Sequence, residues 1–537
     1  MRSSVLVALL CLACAIQGCG KGSDAPAIAR QITAIRGAAR VGGEVLAERA
    51  SVERFYKVRD SKPAWLDHAD GVVEAIQGMA ADGLNPAGYH LGAIRSLIEK
   101  RHGSQTSATD AATLDVLLAD AVATMANDVR FGRVQPSQVN PEWTADPRDE
   151  ASPLDSTLAV IANAGSTPKA IQSQRPDHFI YRGLVETLAN LQRIDAAGGW
   201  PTLGRGKELR PGAIDPRVAQ VRRRLLIGGD LEGSVPRDSA RYDARLASAV
   251  GTFKARHRLA DDGTIDRATI EAMNVSTKAR IAQVRVNLER ARWVLGGLQS
   301  DFMLVNLPAF KAYLIRDDKN VWESRTQIGQ EAMQTPTFRA NIKTVVFNPD
   351  WTVPPTILEK EILLDMRSGK DVLTKQNLVI YDRDNKVVDP KSIDWDNATP
   401  ATFPYSIRQP AGDDNALGQV KFLFPNKYAI YLHDTPHRNL FEANKRTFSH
   451  GCIRLENPLE LAKILLDGQR WDADRIDATV ATDSTHDVAL EHPLPILIVY
   501  WTVSIGASGE VRYADDIYDL DPPLLAALDR PAVHRRR

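Results

Sequence analysis

The stretch FSHGCIRLENP, residues 448–458, holds the only cysteine of this 537-residue chain that lies beyond its first nineteen residues. A cysteine is a strong nucleophile only as a thiolate, so a catalytic one needs a base or a positive field beside it. Two histidines are candidates for that base. His450 lies two residues before Cys452, and His433 lies near the end of the segment KYAIYLHD. These residue types predict a thiol nucleophile assisted by an imidazole.

The flanking residues extend this prediction. If KYAIYLHD is a strand, Ala429, Tyr431 and His433 share one face, and a returning chain can bring Cys452 against His433. If residues 452–455 are extended, Arg454 shares a face with Cys452. Its guanidinium would lower the pKa of the thiol and offer a planar fork to a substrate carboxylate. Gly451 leaves room for backbone N–H groups near the cysteine to face a developing oxyanion.

Other interpretations of the same residues remain open. A cysteine next to a histidine is often purely structural. The side chains of His433, His437, His450 and Cys452 are also proper zinc ligands, although no pair among them has a compact zinc-binding spacing. Two aromatic residues upstream, Trp351 and Tyr405, would either line a groove or belong to the core.

The amino-terminal residues predict export. Residues 1–19 carry Arg2, an apolar stretch and then small residues, as a secretory signal does. They end in Ile-Gln-Gly-Cys, which resembles a bacterial lipobox and predicts lipidation of Cys19; an ordinary cleaved signal is the alternative. Either way Cys11 and Cys14 leave with the signal, so Cys452 would be an unpaired thiol in an exported protein.

The charge and the hydropathy exclude two classes of protein. The chain has 67 basic and 67 acidic residues, and this balance argues against nucleic-acid binding. No apolar run after the signal approaches the roughly 20 residues that a membrane span requires. We therefore expect contact with a membrane only through the lipid on Cys19.

The periodicity of the chain predicts a multidomain α+β protein. Residues 20–45 are expected to be a linker, 46–205 a helical scaffold and 210–280 a small three-helix module. Residues 300–485 alternate like strands and are expected to form a mainly β catalytic domain, with a helical capping insertion at about 356–404. Residues 486–520 are predicted to be a carboxy-terminal strand segment that packs on this domain.

The segment HDTPHRNLFEANKRTFSHGCIRLEN resembles the active-site signature of the L,D-transpeptidase family, in which an upstream histidine precedes Ser/Thr-His-Gly-Cys. The three-helix module, through AVGTFKARHRLADDGTIDRATIEAMN, resembles the peptidoglycan-binding module of wall hydrolases and transpeptidases. A helical spacer without a ligand is the alternative for this module. Arg454 departs from the family, since many smaller members carry asparagine there.

The resemblance implies acyl transfer on peptidoglycan stem peptides in cell wall biogenesis. Cys452 would attack the third stem residue of a tetrapeptide donor, and the diaminopimelate amine of another stem would resolve the thioester into a 3→3 cross-link. His433 would move the protons, the backbone of Asp434 would orient it, and His450 would help to hold the substrate or polarise the thiol. No cofactor or metal is implied, and acylation by a carbapenem is expected.

The resemblance implies that the partners are wall stem peptides and other wall-synthesis enzymes. The expected location is the periplasm, with attachment to a membrane face through Cys19. Two other functions stay open. The same thiol site would serve an L,D-carboxypeptidase or another hydrolase acting on these stems. A non-catalytic wall-binding protein would also carry the peptidoglycan-binding module, but it would not need the thiol.

Overall fold

The computed structural model describes residues 25–38, 40–103, 107–140, 154–234, 239–317 and 319–530. The predicted signal and its lipidation site, Cys19, lie outside these ranges, so both stay predictions. Within the described ranges, no helix is both long enough and apolar enough to cross a membrane. The predicted multidomain α+β fold class is confirmed by a helical scaffold, a small helical module and a large mixed sheet.

The scaffold is a group of helices wrapped around one long central helix. Its elements are α1 (Ala25–Ala38), β1 (Arg40–Val41), β2 (Glu44–Val45), α2 (Arg49–Val58), α3 (Ala69–Gly78), α4 (Leu91–His102), α5 (Ala108–Phe131), α6 (Pro136–Val139), α7 (Leu154–Ala162), α8 (Thr167–Gln172) and α9 (Phe179–Ala196). Helix α5 is buried along almost its whole length. Two of its carboxylates organise the chain around it: Asp115 accepts hydrogen bonds from the backbone of residues 64–66, and Asp120 from that of residues 47 and 48.

The linker predicted over residues 20–45 is wrong for most of its length, because α1 and the β1–β2 hairpin occupy residues 25–38 and 40–45. Ala27, Ile28 and Ile32 are buried in the scaffold core, and α1 packs against α5. The small residues suggested a linker, but alanine is the best helix former, and the two isoleucines are four residues apart on one helix face.

The three-helix module has its own apolar core and consists of α10 (Pro216–Gly228), α11 (Ala244–Arg256) and α12 (Arg267–Asn274). Each helix begins with an aspartate whose side chain accepts a backbone N–H hydrogen bond, as N-cap residues do. Helix α13 (Thr277–Leu295) follows and packs along α9 of the scaffold. Helix α13 therefore connects the module to the catalytic domain along the chain while it packs against the scaffold.

The catalytic region and carboxy-terminal segment contain the remaining strands. In chain order they are β3 (Phe302–Asn306), β4 (Lys311–Arg316), β5 (Lys319–Gly329), β6 (Phe338–Phe347), β7 (Trp351–Thr352), β8 (Val379–Tyr381), β9 (Ser406–Gln409), β10 (Val420–Leu423), β11 (Leu432–His433), β12 (Thr447–Ser449), β13 (Ile453–Leu455), β14 (His486–Val499), β15 (Val503–Ile505) and β16 (Val511–Tyr513). A nine-stranded sheet has the order β12-β5-β13-β11-β10-β6-β14-β3-β4, and an additional pairing of β4 with β5 closes it on itself. Closure leaves few free strand edges around the site.

Short helices complete this region: α14 (Pro355–Ile357), a π-helical turn (Leu358–Ile362), α15 (Leu363–Arg367), α16 (Val372–Lys375), α17 (Pro458–Leu466), α18 (Ala473–Val480) and α19 (Asp521–Leu528). The capping insertion predicted as helical at 356–404 is only partly so. Strands β7, β9 and β8 form a separate three-stranded sheet with their own apolar cluster. The alternating residues of β8 and β9 form this sheet, so the cap is a small α/β unit.

The first part of the carboxy-terminal segment, which was predicted to pack on the catalytic domain, lies within the main sheet of that domain. Strands β15 and β16 form a separate two-stranded sheet, and β15 contacts α9 and α13. Strand β14 lies between β6, to which it is antiparallel, and β3, to which it is parallel. The alternation of apolar residues along this segment correctly predicts a strand. Its central position was not predicted, because the partners of a strand are set by distant parts of the chain.

Candidate active site

Cys452 lies in the turn between β12 and β13, and it is the one free thiol in the described part of the chain. Its side chain is half-buried and packs at the margin of the apolar core of the catalytic domain. The sulfur lies 3.8 Å from the carbonyl oxygen of Ala429, a weak contact at that distance. The thiol is therefore sheltered at the end of two neighbouring strands.

Strand pairing places the predicted site residues on one side of the sheet. Strands β11 and β13 are parallel, with Leu432 opposite Ile453 and His433 opposite Arg454. Leu432 and Ile453 belong to the apolar core, so the alternation of strand residues puts His433 and Arg454 on the other face. By the same alternation Cys452 shares the face of Arg454, as the sequence predicted.

The strand predicted over residues 427–434 is much shorter, since β11 contains only Leu432 and His433. The preceding residues form a turn in which Ala429 has a left-handed backbone (φ 54°) and the side chain of Asn426 accepts hydrogen bonds from two backbone N–H groups. This turn brings Tyr431 to the sulfur. Asparagine favours such turns, a signal in the sequence that the strand prediction overlooked.

The environment of Cys452 favours the neutral thiol at rest. Burial raises its pKa above the ordinary value, and this effect outweighs three opposing interactions: those with the backbone of Tyr431, with the Tyr431 hydroxyl and with the Arg454 guanidinium. The Arg454 guanidinium therefore lowers the pKa of the thiol, as predicted. This effect is smaller than that of burial, so the resting sulfur is not a thiolate.

We expect the alkylation rate of Cys452 by iodoacetamide to rise continuously from pH 6 to above about 8.5, the ordinary thiol pKa, because only the thiolate reacts and its fraction grows with pH. Mass spectrometry of the peptide that carries Cys452 measures this rate site by site. In the Arg454→Met variant the rate should fall at every pH, since a cation that favours the thiolate is lost. A rate that is already constant from pH 6 upwards would contradict the raised pKa.

His433 is buried, and burial together with the positive charge of Arg454 lowers the pKa of its imidazole to about 3. The ring is therefore neutral near pH 7, and in this resting environment it is a weak base. Its Nδ1 atom has no hydrogen-bond partner among the described residues, and no hydrogen bond in those ranges joins His433 to Cys452. The ring instead packs edge-on against Tyr431, with 5.5 Å between the ring centroids.

Asp434 was predicted to orient His433 through its backbone, and the backbone of Asp434 does interact with the imidazole in the direction that raises its pKa. The carboxylate points elsewhere. It accepts hydrogen bonds from the backbone N–H of Gln419 (3.0 Å) and from Arg438 Nη2 (2.7 Å). Burial nevertheless raises the pKa of this carboxyl group. Asp434 thus fixes the loop that follows β11.

The loop before the cysteine is held by side-chain hydrogen bonds. Gly451 has φ 116°, a conformation that favours glycine, and its N–H donates to Ser449 Oγ (3.1 Å). Ser449 Oγ in turn donates to the carbonyl of Cys452 (2.5 Å). The Gly451 N–H already donates to Ser449, so it is not free to stabilise an oxyanion. The N–H of Cys452 makes none of the hydrogen bonds found in the described ranges, and it is the better candidate for the predicted oxyanion donor.

A second set of contacts supports this loop from behind. Thr335 Oγ1 donates to the carbonyl of Gly451 (2.7 Å) and accepts from the N–H of Gly329 (2.9 Å). The Tyr518 hydroxyl donates to the carbonyl of Gly329 (2.5 Å). The carboxy-terminal segment therefore helps to position the cysteine loop.

His450 points to the cap rather than to the sulfur. Its Nε2 atom lies 2.6 Å from Glu361 Oε1, in the π-helical turn of the insertion. Both side chains are partly exposed, so this contact contributes at most about 1 kcal/mol. The cap is thus joined to the cysteine loop by a weak contact. A second contact of the cap with the site is the hydrogen bond between Trp351 of β7 and the Tyr431 hydroxyl.

The four residues considered as zinc ligands are not gathered into a site. Among the described residues, no group of three or more His, Cys, Asp and Glu side chains is arranged to hold a metal ion. His437 is exposed in the loop after β11.

Three residues of the site were missed in the sequence: Tyr431, Thr335 and Glu361. The sequence contained a signal for Tyr431, because in the predicted strand it lies on the same face as His433. Thr335 and Glu361 had none, since both are separated from Cys452 by many residues and meet the loop only through folding.

Three segments of the chain match known domain families. Residues 50–188 match a scaffold domain, and residues 215–273 match a family described as "Putative peptidoglycan binding domain". Residues 300–475, which include the site, match the L,D-transpeptidase catalytic domain. Strand β14 and Tyr518 lie beyond this last match.

A protein of Haemophilus influenzae described as "Putative L,D-transpeptidase" is 35% identical over 271 residues, which are 49% of this chain and 54% of that protein. The chain thus spans about half the length of this relative. Two solved L,D-transpeptidases were also matched. One from Xylanimonas cellulosilytica is 11% identical, with coverage of 55% of this chain and 99% of that chain and a TM-score of 0.18. One from Mycobacterium smegmatis is 12% identical, with coverage of 38% and 64% and a TM-score of 0.17. Similarity this low adds nothing to the description of the fold.

Proposed function

We propose that this chain, whose residues 300–475 match the L,D-transpeptidase catalytic domain, uses Cys452 to form 3→3 cross-links between peptidoglycan stem peptides. The observation that carries the proposal is the position of its half-buried free thiol beside Tyr431, with Arg454 and His433 on the same face of the sheet. A family match to the transpeptidase domain supports acyl transfer as the reaction class. The cross-link type and the thioester are our proposal.

In the first half-reaction the sulfur of Cys452 attacks the carbonyl carbon of the third residue of a tetrapeptide stem. The thiol proton passes to the neutral imidazole of His433, and the carbonyl oxygen becomes an oxyanion facing the N–H of Cys452. The C–N bond to the terminal D-alanine then breaks. His433 returns the proton to the leaving amine, and a thioester remains on the sulfur.

In the second half-reaction the diaminopimelate amine of another stem attacks the thioester. The amine loses a proton through His433, the C–S bond breaks, and the thiol is restored with that proton. Arg454, which lies on the face of Cys452, would offer its planar guanidinium group to a carboxylate of the donor. The cap, joined to the loop by Glu361 and His450, would shield the thioester from water.

Proton transfer requires His433 and the thiol to come within hydrogen-bond reach, and no hydrogen bond between described residues joins them. Catalytic hydrogen bonds often tighten only when substrate binds, or pass through one water. Tyr431 contacts both groups, since its hydroxyl interacts with the sulfur and its ring packs edge-on against His433.

We also propose a periplasmic location with a lipid anchor at Cys19. The peptidoglycan-binding module would hold the enzyme on its polymeric substrate, and other wall-synthesis enzymes would be its partners. Cys19 lies outside the described residues, so mass analysis of the amino-terminal peptide is the measurement that tests the anchor.

Intact-mass spectrometry after incubation with a disaccharide-tetrapeptide tests the reaction. We expect a covalent adduct on Cys452 with the mass of the substrate less one alanine, followed by dimers. Tripeptide products without dimers would favour an L,D-carboxypeptidase acting through the same thiol. Neither adduct nor product would overturn the proposed function and leave a wall-binding protein.

A further inference from the structure

Thr335, in the connection between β5 and β6, holds the peptide unit that carries the proposed oxyanion donor. Its Oγ1 atom donates a hydrogen bond to the carbonyl oxygen of Gly451 (2.7 Å), and the N–H of Cys452 belongs to the same peptide unit. This peptide bond is trans, so its C=O and N–H groups lie in one plane and point in opposite directions. A contact that fixes the carbonyl therefore also fixes the direction of the N–H.

The two neighbouring peptide units are held by a different side chain. The N–H of Gly451 donates to Ser449 Oγ (3.1 Å), and the same Oγ atom donates to the carbonyl of Cys452 (2.5 Å). The peptide unit between them is bound through its carbonyl, since no hydrogen bond within the described part of the chain uses the Cys452 N–H. Thr335 thus sets the direction of this N–H and leaves it available to a substrate.

The hydroxyl of Thr335 is itself held in one orientation. The residue is 3% exposed, and its Oγ1 atom accepts a hydrogen bond from the N–H of Gly329 (2.9 Å), which leaves the hydroxyl proton for the carbonyl of Gly451. Gly329 lies directly against the backbone of residues 333–335, where a Cβ atom would overlap the carbonyl oxygen of Met333. This close approach of two backbone segments keeps the hydroxyl in place.

A tyrosine beyond the matched residues 300–475 completes the network. The Tyr518 hydroxyl donates to the carbonyl of Gly329 (2.5 Å) and accepts a longer hydrogen bond from the N–H of Thr335 (3.4 Å). The ring of Tyr518 is buried against Tyr500, with 5.7 Å between the ring centroids, and the Tyr500 hydroxyl accepts a hydrogen bond from the N–H of Tyr518 (2.8 Å). The carboxy-terminal segment is therefore connected, through Thr335, to the peptide unit of the cysteine.

From this network we infer that Thr335 is a positioning residue for acyl transfer: it orients the N–H of Cys452 towards the developing oxyanion, and Tyr518 holds Thr335 in place. The inference rests on the proposed function for the attack of the sulfur on a carbonyl group, but not for the identity of the peptide. A donor that is oriented in advance stabilises an oxyanion without reorganising during the reaction. The effect of Thr335 should therefore be confined to reactions that place negative charge on a carbonyl oxygen.

Two reactions of the same thiol distinguish this role from a purely structural one. With p-nitrophenyl acetate the deprotonated sulfur attacks the carbonyl carbon, an oxyanion forms, and the C–O bond breaks to release p-nitrophenolate and leave a thioester. With iodoacetamide the deprotonated sulfur displaces iodide from a saturated carbon, so a C–S bond forms without an oxyanion. Dividing the acetylation rate of Cys452 by its alkylation rate therefore cancels any change in thiol ionisation and reports oxyanion stabilisation.

Thr335→Val in the full chain removes the hydroxyl and keeps the shape of the side chain. Its acetylation rate should fall about 10- to 100-fold, less than the cost of about 10²- to 10³-fold for losing an oxyanion donor, because the Cys452 N–H remains but is no longer held. Its alkylation rate should be unchanged. Mass spectrometry of the peptide that carries Cys452, at timed intervals after each reagent is added, measures both rates.

Two further variants provide the controls. Thr335→Ser keeps the hydroxyl and should retain both rates. Tyr518→Phe removes the support of Thr335 and should lower acetylation to a smaller extent, again with alkylation unchanged. Unfolding midpoints show whether each variant is folded, and if Thr335→Val is not, the ratio of the two rates in Tyr518→Phe decides the matter.

Three results would overturn the inference. Equal loss of both rates in Thr335→Val would mean that the residue supports the loop as a whole and has no separate effect on the oxyanion. Unchanged acetylation in that variant would mean that the N–H needs no such support. Loss of acetylation in Thr335→Ser as large as in Thr335→Val would mean that the hydroxyl is not responsible.

These outcomes are separate from those of the proposed function, because p-nitrophenyl acetate contains no stem peptide. If the unsubstituted chain forms no adduct with the disaccharide-tetrapeptide, but the ratio of the two rates falls in Thr335→Val, the transpeptidase reaction is refuted and the positioning role stands. If the adduct forms and the ratio is unchanged, the positioning role alone is refuted.

Discussion

Replacing Cys452 with alanine should reduce cross-link formation by at least about 10⁴-fold, because removal of a covalent nucleophile leaves only binding and oxyanion stabilisation. The acyl adduct with disaccharide-tetrapeptide should disappear entirely. Cys452→Ser keeps the shape of the side chain and should lose nearly as much, since a hydroxyl is a far weaker nucleophile beside an imidazole with a pKa of about 3. Product chromatography and intact mass measure both effects.

The alanine variant also separates the competing functions. Its thermal unfolding should stay close to that of the unsubstituted chain, because the thiol is only half-buried at the margin of the apolar core and its contact with the carbonyl of Ala429 is weak. Binding to isolated sacculi should persist through the three-helix module. If cross-linking also persisted in Cys452→Ala, the thiol would not be the nucleophile, and the reaction would have to proceed through another group.

His433→Gln should lower kcat/KM by about 10²- to 10⁴-fold, the usual contribution of a positioned general base. Glutamine fills a similar volume but cannot take up the proton of the thiol. His437→Gln is the matched control, since His437 lies four residues further along the chain and is exposed; its activity should be unchanged. Unfolding midpoints of both variants check that neither loss arises from misfolding.

The pH profile gives a second readout for His433. The imidazole is active as a base only when neutral, that is, above its own pKa, so activity should be lost on acidification only as the pH approaches about 3. On the alkaline side activity should not fall as Cys452 ionises, because the thiolate is the nucleophile, and burial places this ionisation above the ordinary thiol pKa. An acid midpoint at the ordinary histidine value of about 6.5 would contradict the lowered pKa of His433.

Much of the site was predictable because its parts are local in sequence. Strand alternation puts Arg454 on the face of Cys452, as the sequence predicted. The helices of the module were predictable for the same reason, since their aspartate caps and apolar spacing lie within a few residues of each other. Local patterns failed for α1, where composition was given more weight than periodicity.

By itself the sequence determined the α+β class and predicted that Cys452 and His433 act together, since both inferences depend on residue types and short-range spacing. Only the tertiary structure decided the closure of the sheet through β4 and β5, the position of β14, and the contacts of Tyr431, Thr335 and Glu361 with the cysteine loop. It also decided that the resting thiol is neutral. The physical reason is desolvation of the thiol. How far burial outweighs the effect of Arg454 on the pKa of Cys452 depends on atoms from distant segments, and no local sequence pattern predicts how these pack.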